Sequence, residues 1–124
     1  MQTASLFVFF AIISTPCLAD WKLFNIYTNK AMFIDPSTIK KSGANIKIWV
    51  KHESMRSNEK IKSGIIQMEY SCREETARVL YGHLFEDFDG KGNVIFTFKE
   101  PEPAAPILPG EGFDRSLLHI LCKE

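Results

Sequence analysis

Cys17, Cys72 and Cys122 are the three cysteines of this 124-residue chain, and His52, His83 and His119 its three histidines. Between them they hold whatever thiol, metal or imidazole chemistry the sequence offers. Thiols in an oxidising compartment pair, a thiolate beside an imidazole can act as a nucleophile, and Cys with His at helical spacing can ligate zinc. His119 and Cys122 stand three apart and could share a helix face, with Cys72 the obvious third ligand for a tetrahedral site that needs four. His52, His83 and His119 fall on a strand end, a strand and a helix, and no nucleophile-elbow motif supports a Ser–His–Asp triad. Gly90 and Gly92 read better as a hairpin turn than as a phosphate cradle. The expectation is therefore a protein that is not an enzyme and carries no metal or cofactor, its histidines solvated or hydrogen-bonded within the fold.

Which cysteines survive depends on the first nineteen residues. Leu6–Ile13 is an uninterrupted apolar run, followed by Ser14-Thr15-Pro16 and then Cys17-Leu18-Ala19. That layout predicts a secretory signal peptide over residues 1–19, cut after Ala19. The run is too short for a permanent anchor, which needs about 20 apolar residues. A lipid-modified Cys17 would want a Leu three places before it and a small residue just before it, where Ser14 and Pro16 stand. Cleavage removes Cys17 and leaves Cys72 and Cys122 to pair after export. Closing a loop of 50 residues is worth about 4 kcal/mol on the chain-entropy estimate.

Residues 20–124 suit a single small domain. Fifteen basic against fifteen acidic residues give a formal net charge of zero, and all of them follow the apolar leader. Such a chain has no global field to draw it onto nucleic acid, and no second apolar stretch could span a membrane.

The cysteines are positioned by short strands followed by one helix. Trp21–Thr28 and Ala31–Ile34 read as strands joined at Asn29-Lys30, and Asp35-Pro36-Ser37-Thr38 as a helical turn capped by Asp35. In Asn45–Glu53, Ile46, Ile48 and Val50 alternate with Lys47, Trp49 and Lys51. Ser54–Ser63 is polar and aperiodic, a solvated loop. Gly64–Cys72 alternates again, and in Thr76–Phe85 the residues Ala77, Val79 and Tyr81 are expected on one side. Residues 87–92 carry a strong turn signal before the strand Asn93–Lys99. Glu100–Gly112 holds four of the six prolines and should run extended along the surface, a stiff connector rather than a peptide ligand. Phe113, Leu117, Ile120 and Leu121 then form the stripe of a helix over Phe113–Cys122. Short connections favour antiparallel neighbours, so the predicted architecture is α+β: a meander of about six strands packed against one C-terminal helix. Cys122 at the helix end and Cys72 at a strand end would fasten the two layers.

Charge is uneven along the chain. Between Lys40 and Lys62 stand Lys40, Lys41, Lys47, Lys51, Arg56, Lys60 and Lys62 against only Glu53 and Glu59. Lys47, Trp49 and Lys51 on one sheet face make a basic surface with an aromatic centre, suited to acidic polymers or an acidic protein segment. The same pattern also fits a solvated outer face with lysine stems over Trp49, or a face covered by a second subunit in a homodimer.

Several motifs in order carry a resemblance. They are Trp21, Phe33-Ile34-Asp35-Pro36-Ser37-Thr38-Ile39, Ile46-Lys47-Ile48-Trp49-Val50-Lys51, Glu69-Tyr70-Ser71-Cys72, Asp89-Gly90-Lys91-Gly92, Pro109-Gly110 and the Cys122 that ends the helix. Together they resemble the surface-adhesin protein E family of Gram-negative envelope proteins over essentially all of residues 20–124. The resemblance implies an antiparallel sheet with a helix fastened to it, sometimes dimerising, and a founding member that holds host matrix and serum proteins. It implies a non-enzymatic binding or adhesion module, in the periplasm or at the cell surface, for a host matrix or envelope protein. The alternative is a periplasmic structural or accessory factor that binds an envelope partner. No ligand-contacting residue is carried over.

Overall fold

A computed structural model describes residues 19–123; the leader expected over residues 1–19 therefore lies almost wholly outside the described residues. The strands are β1 (Lys22–Tyr27), β2 (Lys30–Ser42), β3 (Asn45–Ser54), β4 (Ser63–Ser71), β5 (Thr76–Phe85), β6 (Val94–Phe98) and β7 (Ala105–Pro106), and the helix is α1 (Phe113–Leu121). They form one antiparallel sheet in which β1 to β6 pair successively with their neighbours in sequence, while β7 returns to pair with β5. The predicted six-stranded meander with a C-terminal helix is the observed fold.

Alternation builds the core. Ile46, Ile48 and Val50 of β3 oppose Tyr70, Met68 and Ile66 of β4, and all six residues point to one face. Against that face lie Leu117, Leu118 and Leu121, the buried stripe of α1. Phe113 at the start of α1 meets Phe24 and Tyr27 of β1 edge-on, with centroids at 5.6 and 5.9 Å. The fully buried Tyr70 donates its hydroxyl to Asp114 at 2.7 Å, tying β4 to the first turn of the helix. Burial first, then the Asp114 carboxylate, raises the Tyr70 phenol well above its usual range and keeps it a donor. A disulfide joins Cys72, just past β4, to Cys122, which caps α1. A nine-residue helix is marginal alone, so these contacts hold it in place.

Three local expectations are corrected. Asp35-Pro36-Ser37-Thr38 is not a helical turn but an irregularity within β2, where pairing with β3 lapses between Asp35 and Lys40. The polar side chains that suggested a cap satisfy the lapse instead: Thr38 Oγ1 accepts the Trp49 N–H at 3.0 Å and donates to the Asp35 carbonyl at 2.6 Å. Tyr81 does not share a side with Ala77 and Val79, because a bulge in β5 pairs Met68 with Val79 but the adjacent Gln67 with Tyr81. The proline-rich connector is not purely a surface strap: Ala105 and Pro106 pair with Ala77 and Thr76, and Ile107 is buried. Its non-proline amides do the bonding, Glu102 to the Val79 carbonyl at 2.8 Å and Ile107 to the Glu75 carbonyl at 3.0 Å.

Candidate functional site

The sheet face opposite α1 carries Lys47, Trp49 and Lys51, and the strand register arranges their neighbours in three rows. One row runs Asp35, Trp49, Gln67, Tyr81; a second runs Lys40, Lys47, Glu69, Arg78; a third runs Phe33, Lys51, Ile65, His83, Thr97. Because the β5 bulge turns Tyr81 over to this face, its ring meets Trp49 at a centroid distance of 6.4 Å. The aromatic line continues to His83 at 5.4 Å and Phe85 at 6.0 Å. His83 Nδ1 pairs with Thr97 Oγ1 at 2.9 Å, and its Nε2 lies 3.3 Å from the Tyr81 hydroxyl. Tyr81 is 42% exposed, whereas Trp49 is half-buried.

The three sequence candidates therefore have three different settings. Lys47 is exposed, in register with Glu69, whose carboxylate is held by Arg78 at 2.8 Å. Trp49 sits at the centre, as expected. Lys51 is buried on this face, its Nζ 2.7 Å from Asp89 and 3.7 Å from Glu53, and over the rings of Phe33 (4.9 Å) and Trp21 (5.6 Å). It is an internal anchor, not part of a basic surface open to solvent.

What Lys51 anchors is the β5–β6 loop. Asp89 takes a left-handed conformation, φ 60°, within a 3-10 turn over Phe88–Gly90. Its N–H donates to both Glu53 carboxylate oxygens, at 2.9 and 3.1 Å, while its own carboxylate accepts from Lys51. The hydrogen bond from Lys51 holds the Asp89 carboxyl below its ordinary range. Gly90 donates to the Ser63 hydroxyl at 2.9 Å and takes a left-handed φ of 69°, a conformation that favours glycine. Lys51→Ala is expected to cost about 2 kcal/mol, because Glu53 loses its countercharge and two rings lose contact area. Lys51→Met, which keeps the apolar stem, should cost clearly less; urea unfolding of the two variants checks both.

The histidines are not brought together. His52 lies on the helix-side face and His83 on the opposite one, while His119 is on α1. The Cys72–Cys122 disulfide takes the two thiols a zinc site would have needed, and among the described residues no three His, Cys, Asp or Glu side chains cluster as metal ligands. No helix among the described residues is long and apolar enough to cross a membrane.

The sequence profile described as Surface-adhesin protein E matches residues 21–123. The chain belongs to the surface-adhesin protein E family. No curated protein and no solved structure matches it. Membership in the surface-adhesin protein E family supports an adhesin-type protein, at the surface or otherwise exported, with some binding partner, and the disulfide fits an exported protein. The match begins at Trp21, the ring over Lys51, and ends just past Cys122. Reasoning from sequence missed Tyr81, Asp89 and Asp35 as members of this protein's helix-free face. For Asp89 a signal was present, an acidic residue in a glycine-rich turn, but its lysine lies 38 residues away. For Tyr81 the signal was Gly82, an isolated glycine within the strand, which marks a bulge or a close backbone approach without saying which residue it turns over.

Proposed function

We propose that this protein is an exported, non-enzymatic binding module that engages a protein partner through the helix-free face of its sheet. The observation that carries the reading is the Trp49–Tyr81 pair at the centre of that face, with Tyr81 well exposed and the Lys47–Glu69–Arg78 row beside it. Paired aromatic rings at the centre of a patch, rimmed by charge, are the composition of interface hot spots. Residues 1–19 direct export and are removed after Ala19, and the disulfide then forms outside the cytoplasm.

The test is binding of the exported domain to immobilised matrix proteins and to envelope extract. Tyr81→Ala and Trp49→Ala together should weaken the captured interaction by about 30-fold, the scale of a two-residue hot spot, with intact circular dichroism. An equal loss from Lys123→Ala, far from this face, would overturn the assignment. Protease treatment of intact cells distinguishes surface display, which supports adhesion, from periplasmic residence, which supports an accessory factor.

A further inference from the structure

We propose that removal of residues 1–19 creates an ion pair that the precursor lacks, between the new α-ammonium of Asp20 and the buried carboxylate of Asp35. The pair requires the export reading given above, since only cleavage after Ala19 turns that backbone nitrogen into a cation.

Asp35 lies near the surface but is covered, 3% exposed, and a covered carboxylate keeps its charge only with hydrogen-bond donors or a countercharge. Its Oδ1 accepts from the Ser37 N–H at 3.1 Å and the Ser37 hydroxyl at 2.6 Å, and its Oδ2 accepts from the Asp20 N–H at 3.1 Å. Those bonds, Ser37 foremost, hold its carboxyl below the ordinary range, so Asp35 is charged at neutral pH. Among the described residues no side-chain cation lies within ion-pair distance of it; Lys22, 3.4 Å from the Asp20 carboxylate, acts on Asp35 only at longer range and as the smallest of the influences on it. Among the described residues the one hydrogen-bond donor to Oδ2 is thus the nitrogen at the expected cleavage point.

Its position is fixed by the two residues that follow it. Lys22 pairs with Ile34 at the start of β1, and the Trp21 ring lies over Lys51, so residue 20 is held beside Asp35. In the uncut chain that nitrogen is a neutral amide. After hydrolysis of the Ala19–Asp20 bond by water it is an ammonium, and the same 3.1 Å contact becomes charge-assisted. Asp20 is exposed, so its ammonium keeps part of its hydration and the gain is not cancelled by desolvation. The charged groups facing the amine are Asp35, the Asp20 side chain and Lys22, while Lys51 is taken by Asp89 and Glu53.

The sign follows from the partner. A neighbouring carboxylate raises the amine, so the stabilisation is complete below the unfolded value of about 7.7–8.0 and is lost as pH rises through the folded one. The experiment compares a recombinant protein beginning at Asp20 with one carrying Gly-Ser before it, each with and without Asp35→Asn. In the Asp20 protein, NMR should find the α-amine about one unit above its ordinary value. At pH 6.5 its folding constant should exceed that of the extended protein by about tenfold, an advantage that fades by about pH 10 and vanishes with Asp35→Asn. An ordinary amine pKa, which needs no variant to fold, overturns the pairing. Mass spectrometry of exported protein tests the other half separately: a mature start elsewhere than Asp20 overturns the processing step, whatever the recombinant amine does.

Discussion

Removal of the Cys72–Cys122 bond, by serine at both positions, is expected to lower folding stability by about 4 kcal/mol. The bond closes a 50-residue loop that contains β5, β6, β7 and α1. The dominant effect lies in the unfolded chain, which regains the freedom of that loop; in the chain-entropy account this supplies the whole figure. A domain of this size has about 5–10 kcal/mol in all, so the variant should still fold but at much reduced urea midpoint. The loss should not be uniform. The meander from β1 to β5 is held by its own ladders, whereas α1 rests on Leu117, Leu118, Leu121, the Tyr70–Asp114 bond and Arg115, which reaches Glu75 at 2.8 Å and the Ile107 carbonyl at 2.7 Å. Amide exchange should therefore accelerate most in Phe113–Leu121. Uniform acceleration across sheet and helix would show that the helix does not depend specifically on the bond.

Acidification from pH 7 to about 4 should cost about 3 kcal/mol through His52. That ring packs on the helix-side face between Met32 and Gly64, so closely that a Cβ on residue 64 would collide with it, and its Nδ1 is buried without a hydrogen-bond partner. Burial, with a lesser contribution from Lys30, pushes its pKa down from 6.5 to about 4. The unfolded chain takes up the proton below about 6.5 while the folded one resists until about 4, so stability is full above that window and falls through it. Each unit of the gap is worth about 1.4 kcal/mol. Asp35 and Asp89, whose pKa values are lowered, add acid sensitivity only below the ordinary carboxylate range, so the two effects separate in pH. Urea midpoints at pH 7 and 4.5 check this, with His52→Phe expected to flatten the slope; a slope unchanged by that substitution would place the acid sensitivity elsewhere.

Much of the fold is legible because its signals are local. Alternation in Asn45–Glu53 and Gly64–Cys72 marks two central strands, the stripe from Phe113 to Leu121 marks the helix, and successive short turns mark a meander. The candidate site was less legible, because its settings depend on register and on distant partners. Lys51 alternates like any surface lysine; the return of the β5–β6 loop, bearing Asp89, and the rings of Phe33 and Trp21 make it internal. Asp35 before Pro36 carries the ordinary marks of a helix cap. What decides otherwise is the N–H of Trp49 on the next strand, which takes Thr38 as its acceptor and keeps the segment extended. The bulge in β5 moves Tyr81 across the sheet, and the neighbouring Gly82 hints at an irregularity there without fixing which side chain changes face.

Strand order also sets an order of assembly. Every pairing from β1 to β6 is with the strand just before it, so a chain emerging amino end first can zip its sheet up hairpin by hairpin, without waiting for distant segments. β7 must travel back past β6 to reach β5, and α1 travels furthest, since Phe113 seats against Phe24 and Tyr27 of the first strand. Until it arrives, Ile46, Ile48, Val50 and Tyr70 form a greasy, uncapped plane, and that short-lived half-built sheet is the species a holdase chaperone would have to shield.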